Sequence, residues 1–236
     1  MLTLALDTAT KVCSVSLVED GKVLAEYDVA MGMTHSEGLL PQLDQLKTRT
    51  GIGREKVDRI AVSIGPGSFT GLRIGLATAE AAAYAWKCGV CGVNTLEAMA
   101  WNIPVEGVLL VPMLDAQKGN FYAAGYRWNG DAPETFRDVE MLAPADLMER
   151  LAAYEGPVLL MGECGKLDRQ IQSGRLTLPE NVKMAPLQVR LPKASSVGLA
   201  SESLPCMEGE DIFGLRPYYI RKSEAEELWD KRHSGK

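Results

Sequence analysis

The stretch Ile60 to Gly75, I-A-V-S-I-G-P-G-S-F-T-G-L-R-I-G, places more chemistry-bearing residue types at suggestive spacing than any other part of the chain. An apolar run breaks at Gly65-Pro66-Gly67, where glycine permits tight backbone and proline cannot continue a sheet. Ser68 and Thr70 follow as candidate helix N-caps, ahead of an Ala-rich helix. A strand, a glycine turn and a helix N-terminus aim several amide N–H groups at one spot, which suits an anion. Arg73 falls in the first helical turn, where the helix dipole does not favour a cation, so its presence needs another reason. Both phosphate-loop patterns are missed. At the P-loop spacing after Gly65 stands Thr70 with no lysine behind it, and the third glycine of a dinucleotide fingerprint arrives one residue late, at Gly71. The strand Val90 to Asn94 ends without an acid that could hold a ribose. Close packing of helix on sheet is the plain reading of these glycines, and an anion-binding remnant at Gly67 and Ser68 is the alternative.

Other reactive groups are few. Asp7 ends the first strand-like run, read as pointing off the sheet edge, and Asp115 ends a second, at Val111-Pro112-Met113-Leu114. Ala116-Gln117-Lys118 beside Asp115 keeps backbone amides away from a phosphate. Gly162 and Gly165 read as turn glycines. The two histidines, His35 and His233, stand far apart and cannot make a paired metal site. They also leave no Ser/His/Asp or Cys/His constellation for a protease. Cys88-Gly89-Val90-Cys91 has redox spacing but follows a helix, where the dipole disfavours a thiolate, so it reads as structural.

The elements that must position these groups follow from periodicity. Leu2 to Asp7, Cys13 to Glu19 and Lys22 to Val29 read as three consecutive strands, with a hairpin turn at Asp20-Gly21. Leu39, Leu43 and Leu46 share one face of a helix over Ser36 to Lys47, capped by Ser36. Val57 to Ile64 is a strand, Thr70 to Trp86 the Ala-rich helix, and Leu96 to Trp101 a short helix. Asn102-Ile103-Pro104 marks a boundary between lobes 1–103 and 104–236. Beyond it the pattern restarts, with strands at Gly107 to Leu114, Gly119 to Trp128 and Glu134 to Met141. A helix from Pro144 to about Ala153, a strand at Val158 to Met161 and a helix at Ser195 to Ser203 complete it. This predicts a duplicated α/β architecture, two lobes of βββαβα topology.

Composition narrows the class. The 236 residues are 46% hydrophobic, with a formal net charge of -6, so the chain by itself is a poor holder of nucleic acid. No apolar run reaches membrane-spanning length, no basic leader appears, and the five cysteines are odd in number and irregularly spaced. A reduced, cytoplasmic protein is the expectation. The tail residues Arg221, Lys222, Lys231, Arg232 and His233 are locally basic, though Glu224, Glu226 and Glu227 favour a solvated helix end.

Taken in order, Leu4-Ala5-Leu6-Asp7-Thr8-Ala9-Thr10, Thr34-His35-Ser36-Glu37, the Gly65 to Gly75 block, Leu114-Asp115-Ala116 and Arg216-Pro217-Tyr218-Tyr219-Ile220-Arg221 resemble the TsaB (YeaZ) family over essentially the whole chain. Gln117-Lys118 departs from that pattern, which more often has two arginines after the alanine. The resemblance implies the actin/sugar-kinase/Hsp70-like fold, with the last helix of the second lobe packing back on the first. It also implies a non-catalytic subunit needed to make N6-threonylcarbamoyladenosine in tRNA next to the anticodon. Such a subunit binds and activates the catalytic paralogue TsaD together with the ATPase TsaE. It meets tRNA only through the complex and carries no metal or cofactor, with ATP and magnesium used by the assembly. The pairing surface would be the two N-lobe helices, with Leu39, Leu43, Leu46, Thr70, Arg73, Ala77 and Tyr84 at the partner. Asp7, Gly67, Ser68 and Asp115 would be a nucleotide or anion remnant. Left without a partner, the same helix faces point to a homodimer. The competing expectation is a self-sufficient ATPase or phosphotransferase of this fold, with Asp7 holding magnesium.

Overall fold

Leu4 and Leu6 on one side of the first strand, and Ala5 on the other, set the plan of the first half of the molecule. The computed structural model describes residues 1–30, 34–163, 165–220 and 229; of the basic tail, Arg221, Lys222, Lys231, Arg232 and His233 lie outside these residues. Strands β1 (Leu2–Asp7), β2 (Cys13–Glu19), β3 (Lys22–Val29), β4 (Arg59–Gly65) and β5 (Gly89–Asn94) form a sheet in the order β3-β2-β1-β4-β5. The first three run as an antiparallel meander, and β1, β4 and β5 are parallel. Asp20 and Gly21 both take positive φ, 46° and 76°, as a two-residue hairpin of the right twist requires.

The sheet is covered on both faces, so β1 is buried along its whole length. Large residues Leu4, Leu6, Ile60, Val62 and Val90 pack under helices α1 (His35–Thr50) and α2 (Phe69–Trp86), with Leu39, Leu46, Leu76 and Ala83. The alternate positions are small, Ala5, Ala61 and Cys91, and meet helices α3 (Thr95–Ala100) and α6 (Ala194–Ser201) through Ala98, Ala194, Val197 and Ala200. Small against small brings α6 very close. A Cβ on Gly198 would stand 2.6 Å from Val18 Cγ2.

The second half repeats the plan. Strands β6 (Leu109–Asp115), β7 (Phe121–Asn129), β8 (Ala132–Leu142), β9 (Val158–Gly162) and β10 (Val182–Met184) are ordered β10-β9-β6-β7-β8, with the same pattern of parallel and antiparallel pairs. Helices α4 (Pro144–Ala152) and α5 (Gly165–Gln172) cover one face. Helix α3 covers the other with Leu96, Met99 and Ala100, so it serves both sheets. Each half thus carries three strands, a helix, a strand, a helix and a fifth strand, one strand more than the βββαβα expectation, because the chain continues past the second helix into β5 and β10.

Several boundaries differ from the sequence reading. Thr34, not Ser36, caps α1: its N–H and Oγ1 both bond the Glu37 carboxylate, at 3.1 and 2.7 Å, a reciprocal cap of the Thr-x-x-Glu kind. Pro41 lies inside α1, on its exposed side. At the boundary read between the lobes, Asn102 Nδ2 donates to Val189 O at 2.9 Å and Leu191 O at 2.8 Å.

Candidate functional site

The glycine block closes around the turn after β1. Ser68 caps α2, with Oγ accepting the Gly71 N–H at 3.3 Å, and its own N–H bonds Ala9 O at 2.7 Å. Thr8 Oγ1 donates to Gly71 O at 2.8 Å. A Cβ on Gly67 would stand 2.5 Å from Ala9 O, one on Gly71 would overlap the Thr8 carbonyl oxygen, and one on Gly75 would overlap Thr8 Oγ1. These glycines exist so that the start of α2 can lie against residues 8 and 9. His35 closes the group from α1, its Nε2 lying 2.7 Å from Thr10 O. The space a phosphate would need is filled by the chain's own backbone.

Asp7 corrects the sequence reading. Its carboxylate does not project off the sheet edge but is fully buried. Ser63 Oγ donates to Oδ2, and the Ala9 N–H donates to Oδ1 at 3.1 Å. Burial is the main reason its pKa rises from 3.8 to about 6, with the two hydrogen bonds opposing. A hydrated magnesium has no route to this carboxylate. Gly67, Ser68 and Asp7 therefore do not fit a magnesium–nucleotide, and no ATPase step follows from them.

Asp115 is different. It is partly exposed at the end of β6, paired with Lys166 Nζ at 2.5 Å and accepting the Gln117 N–H at 2.9 Å. The turn beyond it runs through three successive positive φ values, 62°, 48° and 88° at Gln117, Lys118 and Gly119. Glu163, just past β9, joins the group; burial pushes its pKa up, and Lys11 and Lys166 pull the other way. Sequence reasoning missed Lys166, Glu163 and Lys11 here. The signal was Glu163, an acid directly after a strand-ending glycine. Gly162 itself, at φ 109°, sits where a Cβ would overlap Met113 O, so it reads as close strand packing.

On α2 the side chains at Thr70, Arg73, Ala77, Ala81 and Tyr84 are all exposed and recur every three or four residues, which puts them in one stripe. Arg73 has its reason. Its guanidinium lies 3.9 Å over the Phe69 ring, Nε donates to Tyr219 Oη at 3.1 Å, and Tyr219 stacks on Phe69 at 4.9 Å. The arginine rivets the late segment to the start of α2. Tyr84 meets the Phe213 ring at 5.2 Å. The α1 residues divide otherwise: Leu39 and Leu46 are 1% and 2% exposed. They fill this chain's own core and are not on a surface a partner could reach, which corrects their place in the expected pairing set. Leu43 is partly buried and packs on the same core, while Leu40 is 63% exposed.

Comparison with known proteins decides the family. The family model described as TsaD, tRNA N6-adenosine threonylcarbamoyltransferase, matches residues 30–227. The tRNA threonylcarbamoyladenosine biosynthesis protein TsaB of Escherichia coli (strain K12) is 30% identical over 208 residues, 81% of this chain and 87% of that one. The chain belongs to the TsaB (YeaZ) family. TsaB of Bacillus subtilis (strain 168) is 28% identical over 97% of this chain and 98% of its own length. YeaZ from Pseudomonas aeruginosa superposes with a TM-score of 0.75 at 25% identity, covering 93% of this chain and 99% of that one. The fold is accordingly the actin/sugar-kinase/Hsp70-like one, in agreement with the two sheets of identical strand order. Among the described residues no helix is long and apolar enough to cross a membrane.

Proposed function

We propose that this chain is a non-catalytic subunit for tRNA N6-threonylcarbamoyladenosine biosynthesis in the cytoplasm. It binds and activates a TsaD-type paralogue as a heterodimer and works together with a TsaE-type ATPase. The observation that carries the reading is the exposed stripe Thr70, Arg73, Ala77, Ala81 and Tyr84, set beside an acid and a glycine turn sealed by the chain's own backbone. Small residues at Ala77 and Ala81 let a second helix approach closely, and Arg73 and Tyr84 at the ends supply the larger side chains that anchor interfaces. Leu40 of α1 is exposed as well. The two histidines, His35 and His233, stand far apart in the sequence, so the chain has no paired-histidine metal site to offer. On this reading the chain brings no cofactor: ATP and magnesium act elsewhere in the complex, and tRNA, disfavoured by the net charge of -6, is met only through the complex. Alone, the same stripe pairs with a second copy.

Light scattering on the pure chain, then on its mixture with the TsaD-type protein of the same source, tests this. A heterodimer should form and displace any homodimer. Ala77→Glu should leave the melting temperature nearly unchanged and the two proteins apart, because the side chain is exposed in the isolated chain. Normal tRNA modification in cells whose Ala77→Glu protein no longer pairs would overturn the reading.

A further inference from the structure

β5 is the edge strand of the first sheet, and the segment around Met207 lies against it as a single antiparallel bridge. Val90 N–H bonds Met207 O at 2.9 Å, and Met207 N–H bonds Val90 O at 2.8 Å. Next to such a doubly bonded pair, the following two residues face each other without backbone bonds, and their side chains come closer. Those residues are Cys91 and Cys206, whose sulfurs influence each other's titration, while the Cys91 thiol donates to Ile60 O at 3.8 Å. Gly89, on the same face of β5, leaves the space that Cys206 enters: a Cβ there would stand 2.9 Å from Cys206 Cβ. Opposite Gly89 on β4 is Arg59. Its Nη1 lies 3.9 Å from Cys206 Sγ, and its Nε donates to Thr3 Oγ1 at 3.1 Å. Arg59 is only 5% exposed, and its Nη2 has no partner among the described residues. A buried guanidinium with an idle N–H needs an anion beside it.

The described cysteines are not equivalent. Neighbouring Cys91, and then the Arg59 guanidinium, hold the Cys206 thiol well below its ordinary range. Burial pushes Cys88 up, and it pushes Cys13 up to about 11. Cys206 is also half-buried, where Cys91 and Cys13 are buried.

We propose that Cys206 is an oxidation site that reacts with hydrogen peroxide and is then closed by Cys91 into a disulfide. In the first step the Cys206 thiolate attacks a peroxide oxygen. The S–O bond forms, the O–O bond breaks, and hydroxide leaves and takes up a proton as water. Sulfur loses two electrons and the peroxide gains them. The idle Nη2 of Arg59 is placed to bond the new oxygen. In the second step the Cys91 sulfur attacks the sulfenic sulfur, the S–O bond breaks, and the hydroxyl departs with the thiol proton as a second water. Facing residues of this kind have Cα atoms about 4.5 Å apart, within the span of a disulfide. The bond would lock the Met207 segment onto the sheet edge.

The test uses the full wild-type chain, hydrogen peroxide and peptide mass mapping. A Cys91–Cys206 linked peptide should appear and vanish on reduction. In Cys91→Ala, the sulfenic acid should persist and be trapped by dimedone on Cys206. Without any substitution, iodoacetamide at pH 6.5 should alkylate Cys206 about tenfold faster than Cys88. The proposal is overturned if peroxide links a different pair or dimedone labels a different cysteine. It is equally overturned if Cys206 alkylates no faster than Cys88.

Discussion

Replacing Asp7 by asparagine separates a sealed structural acid from a solvated one that could serve a ligand. Burial raises the pKa of Asp7 from 3.8 to about 6 in the folded chain. Between those values the folded state holds a proton that the unfolded chain releases, so the group's contribution to stability is full below pH 4 and is lost as pH rises through 6. At about 1.4 kcal/mol per pH unit the loss amounts to about 3 kcal/mol. Asparagine keeps the shape, and its Oδ1 can still accept the Ala9 N–H while its amide donates to Ser63 Oγ, but it does not titrate. The difference in unfolding free energy between Asp7→Asn and wild type should therefore move by about 3 kcal/mol in favour of asparagine from pH 4 to pH 7.5, with every other titration cancelling in the difference. Urea unfolding followed by tryptophan fluorescence across that range gives the number. A difference that stays constant with pH would refute the burial argument and make Asp7 an accessible carboxylate after all.

Other substitutions probe the same packing. Gly71→Ala must push the start of α2 off Thr8, and its thermal unfolding should show a loss of about 1–3 kcal/mol. Leu39→Ala should cost about 2–5 kcal/mol in urea unfolding, whereas Leu40→Ala, at a side chain 63% exposed, should stay within about 0.5 kcal/mol. Arg73→Ala removes the contact with the Phe69 ring and the hydrogen bond to Tyr219, worth about 1 kcal/mol at an exposed site. Its signature should be faster hydrogen exchange at the Tyr218 amide, which bonds Ile64 O at 2.7 Å. Asn102→Ala strands two carbonyls and should lower stability by about 1–3 kcal/mol in the same assay.

Much of this was legible before any coordinates. The apolar runs Leu2 to Leu6 and Ile60 to Ile64 announce buried strands, and the restart after Pro104 announces the duplication. The glycines of residues 65–75 showed that something approaches closely, but not that it is Thr8 and Ala9, because proximity between distant segments leaves no local pattern. For the same reason the 3.6-residue period of Leu39, Leu43 and Leu46 gave an apolar face without telling a core from a partner. Helix α5 and strand β10 escaped notice. One is short and polar with only Leu167 buried, and the other is three residues long. Arg59 and Cys206, 147 positions apart, were beyond any reading by spacing.

The return of α6 to the first sheet has a consequence for how the chain is made. Ala5, Ala61 and Cys91 are covered by Ala194, Val197 and Ala200, and Ile212 and Leu215 complete the core on the opposite face. A ribosome that has released the residues up to α3 has therefore exposed a sheet with one face covered by α3 alone, and the α6 residues that complete the cover are synthesised much later. During those seconds of elongation the uncovered part of that face is open to chaperones, and to pairing with other nascent copies, before α6 arrives.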